Sequence, residues 1–157
     1  MIRFIILFLT VACFSTNGTT SYVKTDITGT WLNQDQDAHI KIFELSGMYF
    51  GQIVWLKVPN DPETGKPKVD KHNSDESKRN KPVLNMIIMK NLVWDEGDQN
   101  WQDGVIYDPK SGNSYSLTCT LTNQNTMQLR GYMGISLLGR TDIWTRVIEP
   151  PAPAPTK

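Results

Sequence analysis

The sequence predicts an all-β fold, an antiparallel up-and-down barrel of eight strands (up to nine) with one long loop. Three observations predict it. Short apolar or alternating segments recur along the chain, separated by Gly, Pro, Asn and Asp turn signals. The stretch from Ser114 to Thr122 alternates strictly, with Tyr115, Leu117, Cys119 and Leu121 on one face and only hydroxyl side chains on the other. Helix-period patterning is nearly absent. Antiparallel meanders of this size commonly close on themselves, because closure removes their edges.

The elements follow in order. Ile27 to Leu32 is a short β-branched strand, and Asn33 to Asp37 a polar turn. His39 to Leu45 ends at the turn pair Ser46-Gly47, and Met48 to Val58 returns as its hairpin partner. In that strand strict alternation puts Tyr49, Ile53 and Trp55 on one face and Phe50, Val54, Leu56 and Val58 on the other. Both faces are apolar, as in a strand covered on two sides or lining a cavity. Pro59 to Pro82 carries four of the nine prolines and almost no apolar side chains. It exceeds the roughly 12–15 residues of a passive connector. Ser74 is placed to cap a helical turn begun by Asp75 and Glu76. Val83 to Trp94 fits helix or strand; its strand neighbours favour one or two strands. Trp101 to Asp108, Tyr115 to Leu121, Met127 to Met133 and Arg140 to Val147 complete the set, with a tight turn at Pro109 to Gly112.

The ends read differently from this domain, which spans 26–148. Arg3 followed by the apolar run Phe4 to Ala12 predicts a signal peptide over 1–12. That run is far short of the roughly 20 residues a membrane-spanning helix needs. Thr10-Val11-Ala12-Cys13 resembles a bacterial lipobox with Thr where Leu is usual. Two outcomes stay open: Cys13 carries lipid and holds the protein at the periplasmic or outer-membrane surface, or the protein is simply secreted. Residues 13–25 would then be a flexible tether, and the Pro/Ala-rich 149–157 a disordered tail. If Cys13 is lipidated or removed, Cys119 has no disulfide partner and reads as a small buried apolar residue.

Composition excludes some classes. The chain has 157 residues, 39% of them hydrophobic, with 16 basic and 16 acidic side chains. No basic stripe speaks for nucleic acid. Neither Gly-x-Ser-x-Gly, Cys-x-x-Cys, His-Glu-x-x-His nor a glycine-rich phosphate loop occurs, so no enzyme activity, catalytic residue or cofactor is expected. Asp70, His72, Asn73 and Asp75 cluster in the long loop without the spacing of a calcium loop. They are expected to cap backbone turns, and no metal is expected.

Gly29-Thr30-Trp31 resembles the Gly-x-Trp of lipocalins, in which an arginine from the last strand lies over the indole and closes the barrel bottom. Gly29, Trp31, Trp144 and Arg140 or Arg146 are the residues so implicated, a structural role with a cation–π contact of about 0.5–2 kcal/mol. A broader resemblance covers most of the chain. GQIVWLK, DKHN, WQDGVIYDPKSGNSYSLT and LRGYMGISLLGRTDIWTR, in that order, resemble the bacterial family called domain of unknown function 2147. The resemblance implies a small exported protein with a lipocalin-like barrel and no particular activity. The chain departs from it at Asn85, where the family usually has Gly, so the strand there is expected to differ in shape.

The function expected is a binding protein for a small, partly apolar or amphipathic ligand. Trp55, Trp101, Tyr107, Tyr115 and Tyr132 would line the site, and Arg130 or Arg140 would meet a polar end. The plainer reading of those arginines, an ion-pair network with Asp108 or Asp142 locking the last strands, is preferred. The alternative function is an envelope protein-interaction module with a filled barrel, using the Pro59–Pro82 loop and the turn at Gly134 to Gly139 as contact surfaces. Contact with a membrane is expected only through a lipid on Cys13.

Overall fold

A computed structural model describes residues 22–148; the signal, Cys13 and tail expectations fall on residues outside these. Eight antiparallel strands form a closed barrel in sequential order. They are β1 (Gly29–Leu32), β2 (Ala38–Leu45), β3 (Met48–Leu56), β4 (Ile87–Asp95), β5 (Asn100–Asp108), β6 (Asn113–Asn123), β7 (Thr126–Tyr132) and β8 (Arg140–Arg146). Closure is made by β1 on β8, with Trp31 opposite Arg146 and Leu32 opposite Thr145. Short hairpins β2–β3, β4–β5 and β6–β7 lie at one end. The connections after β1, β3, β5 and β7 lie at the other.

The first end is closed. Trp31, Ile42, Tyr49, Met89, Leu92, Trp101, Cys119 and Met127 are all buried there. Trp101 stacks edge-on against Tyr49 and tilts over Trp94. Gly104 exists for this floor: a Cβ on it would sit 2.5 Å from Cγ of Leu92. The segment from Tyr22 is part of the same plug and not a tether through residue 25. Tyr22 packs on the core, Ile27 is fully buried, and the Trp101 indole donates to the Lys24 carbonyl. Burying an apolar side chain of this size contributes about 1.5–3 kcal/mol, enough to hold a short segment in place.

Three strands depart from strict alternation, each with a visible cause. In β3, His39 pairs with Trp55 but Ile40 pairs with Ile53, so Val54 is the extra residue of a bulge. Tyr49, Gly51 and Ile53 face inward, and after the bulge it is Leu56, not Trp55, that turns back toward the core. In β4 and β5, Asn91 and Asp103 take φ of +60° and +61° at irregular registers. The residues before Ile87 form turns instead of strand, and Asn85 takes φ +70°, a conformation Gly adopts freely and Asn tolerates. Its N–H and the Ile53 N–H tie this segment to β3.

The Pro59–Pro82 loop is ordered by its own hydrogen bonds. Bridges pair Asn60 with Pro67 and Val69 with Pro82. Lys68 donates to the Pro59 carbonyl and Asp70 to that of Lys81. A single 3-10 turn, Glu76–Lys78, is capped by Asp75, one residue past Ser74.

Candidate ligand cavity

The open half of the barrel encloses a cavity of about 1240 Å³. That is room for one drug-sized molecule, since ligand sites run to roughly 300–1,000 Å³. Its walls are aliphatic: Ile40, Ile53, Ile88, Leu117 and Leu129, with Trp144 on β8. Tyr107, Tyr115 and Tyr132 lie higher, and Gly131 leaves space on the β7 wall. A Cβ built on Gly131 would meet nothing closer than 3.7 Å, at Tyr115.

The mouth is charged. Lys57, Lys66, Lys68, Lys71 and Lys110 line it with Arg140, alongside Asp35, Asp37, Asp61, Asp108 and Asp142. Lys110 bridges Asp35 at 2.8 Å and Asp37 at 2.9 Å, tying the turn after β1 to the turn after β5. Burial works against the Asp37 carboxylate, but its bonds to Lys110 and Asn33 hold it below the usual carboxylate range. Arg140 pairs with Asp142 at 2.8 Å. Asp108 instead accepts from the Lys110 N–H and the Ser111 hydroxyl. Among the described residues, Lys57, Lys66, Lys68 and Lys71 form no ion pair.

One loop carboxylate is buried. Asp70 is 1% exposed; it accepts from the Tyr107 hydroxyl at 2.7 Å and from the Asn73 amide at 2.6 Å. Burial, then the Asp70 carboxylate, push the Tyr107 hydroxyl up to about 12, so it stays a donor at neutral pH. This pair fastens the long loop to β5. The loop also rests on the β5–β6 turn, where Gly112 (φ +74°) has no Cβ to strike the His72 carbonyl. Asp70, His72, Asn73 and Asp75 are therefore not gathered round one point. Among the described residues no group of three or more His, Cys, Asp or Glu could hold a metal ion.

The structure separates the residues the sequence nominated. Tyr107, Tyr115, Tyr132 and Arg140 line the cavity. Trp55 does not: it lies 41% exposed beside His39, ring centroids 4.4 Å apart, because the bulge at Val54 turned it outward. Trp101 points inward but too deep, in the plug beneath the cavity. Arg130 donates to the Thr141 hydroxyl and the Leu137 carbonyl and does not line the cavity. At the closed end it is Arg146, not Arg140, whose guanidinium lies 4.2 Å from the Trp31 ring centroid. Arg146 also donates to the carbonyls of Asp26, Thr28 and Gln124, and Gly29 leaves the room it occupies. Trp144 is buried between these two ends. The four lysines and the aliphatic wall went unnominated. Alternation does mark Leu117 and Leu129 as inward, but no sequence signal folds the long loop over the mouth.

A closed eight-stranded up-and-down barrel, plugged at one end and open at the other, defines a lipocalin-like fold. The chain belongs to the family described as "uncharacterized protein conserved in bacteria (DUF2147)", which matches residues 29–146. Among solved structures it is similar to protein HP1028 from Helicobacter pylori, which belongs to the lipocalin family. The TM-score is 0.65 and the identity 18%, over 78% of this chain and 84% of that one. No curated protein matches.

Proposed function

We propose that this is an exported bacterial binding protein that carries one small, partly apolar ligand in its barrel. The cavity supports this most: about 1240 Å³, aliphatic in its depth and lysine-lined at its mouth. An acyl chain or aromatic body would be desolvated among Ile40, Ile53, Leu117 and Trp144. A carboxylate or phosphate end would remain among the unpaired lysines, where charge-assisted hydrogen bonds favour it. Export is supported by the Arg3 and Phe4–Ala12 pattern. No catalytic step belongs to this reading. The open upper half weighs against a filled barrel acting only as an interaction module.

Tryptophan fluorescence tests it, because Trp144 lines the cavity. Titration with medium- and long-chain fatty acids and aromatic carboxylates is expected to give a saturable change. Gly131→Phe, which places a ring in the cavity, is expected to abolish that change while the far-ultraviolet circular dichroism stays the same. A panel with no response, or one whose response survives Gly131→Phe, would contradict the proposal.

A further inference from the structure

We propose that the open end of the barrel docks on an anionic lipid surface, with the β7–β8 turn entering the interface. Met133, Ile135, Leu137 and Leu138 are 59%, 61%, 82% and 79% exposed. In mid-strand, Val54, Val93, Val105 and Ile143 are 37–40% exposed, and Leu45 at the end of β2 stands alone at 60%. Four large apolar side chains within six residues make a prong, and concentrated exposure of this kind marks an interaction site.

The prong is held out by its backbone. The Arg130 guanidinium, anchored on Thr141, donates to the Leu137 carbonyl at 3.1 Å. Leu138 N–H closes a 3-10 turn on Ile135 O, and Gly134 takes φ +74° at its start. Met133 and Leu138 border the cavity rim, while Ile135 and Leu137 stand clear of it.

Charge selects the occupant. Lys57, Lys66, Lys68 and Lys71 stand at the same mouth, free of ion pairs among the described residues, beside Asp61 and Asp108, which form none either; this leaves a small excess of base on a chain that is neutral as a whole. They come from the connection after β3, while the prong follows β7, on the far side of the ring. An extended surface at the open end meets both features. Apolar side chains with nearby lysines fit the headgroup–acyl boundary of an anionic bilayer. A second copy meeting mouth to mouth would set lysines against lysines or against the apolar prong, according to where the two-fold axis lies, and neither pairing is complementary. The four lysines, Met133 and Leu138 also border the cavity and are shared with the carrier reading; the lipid readout at Ile135 and the ligand readout at Trp144 are separate, so either proposal can fail alone.

The test uses the full chain with Cys13→Ser, which removes any acyl anchor, and Ile135→Cys carrying an environment-sensitive dye. Cys119 is fully buried and does not compete for the label. Vesicles of phosphatidylcholine with phosphatidylglycerol are expected to shift the dye to the blue, and nitroxide-bearing lipid to quench it. Pure phosphatidylcholine should act at least tenfold more weakly. About 0.5 M NaCl should reverse most of the binding, because it shortens the screening length to a few Å. Leu137→Ser with Leu138→Ser should lower partitioning at least tenfold. Lys68→Glu with Lys71→Glu, which leaves the prong intact, should do so severalfold. Absence of shift and quenching overturns the proposal. So does an undiminished response from the leucine variant, which would place attachment at the N-terminus. A blue shift that grows with protein concentration without vesicles overturns it too, in favour of a second copy.

Discussion

Arg146 does more for this barrel than any other charged side chain. It stacks on Trp31 and satisfies three backbone carbonyls, two in the turn before β1 and one in the β6–β7 turn. Arg146→Ala leaves those carbonyls unmet and an indole uncovered, so it should cost about 2–4 kcal/mol in urea unfolding. Arg140 is exposed and, among the described residues, ion-paired only with Asp142, so Arg140→Ala should change stability by no more than ~0.5 kcal/mol. The sequence offers both arginines as partners for Trp31. Only the β1–β8 register, which sets Trp31 opposite Arg146, decides between them. Cys119 is simpler. Burial pushes its thiol well above the ordinary range, and it should resist alkylation until the barrel unfolds. Peptide mass mapping after a timed iodoacetamide pulse distinguishes it from Cys13.

At the scale of elements, the long loop is the part least legible in the sequence and the most consequential for the site. Its prolines and charges say only that it is no strand. Its folded path depends on contacts with β5 and the β5–β6 turn, more than twenty-five residues away, which local patterning does not encode. Tyr107→Phe leaves the buried Asp70 carboxylate short of one donor and should loosen the loop by about 1–3 kcal/mol. Faster amide exchange confined to residues 68–82 would report it. The same bond sets a pH window. The Tyr107 hydroxyl titrates higher in the folded state, at about 12 against an ordinary 10.0, so the folded state binds its proton more tightly. That contribution is complete below pH 10 and fades as pH rises toward 12. Wild type should therefore lose stability in this range more steeply than Tyr107→Phe. Gly112→Ala should displace the loop as well, since its Cβ would collide with backbone and its φ is positive. Strands were far easier to read. β6 alternates without interruption and lies where its pattern puts it. β3 misleads at one residue, the bulge at Val54, and that single insertion carries Trp55 from the expected cavity wall to the outer surface.

For the molecule as a whole, the division into a plugged half and an open half determines what it can do. Aromatic content and a strand apolar on both faces point to a lined cavity, but depth along a strand has no sequence signature. Trp101 and Trp144 both face inward, yet one fills the plug and the other borders the cavity. The closed barrel was legible because turn spacing and alternation are local; the cavity was not, because it is space left between distant side chains. The measurement that tests the central claim most directly is native mass spectrometry of the protein, purified gently from a bacterium that makes it. The account predicts a discrete added mass of one small, partly apolar acid or phosphate ester per chain, lost in Gly131→Phe. A compact wild-type protein with no added mass, which also takes up none of the acids offered to it, would contradict the claim that this barrel is a carrier.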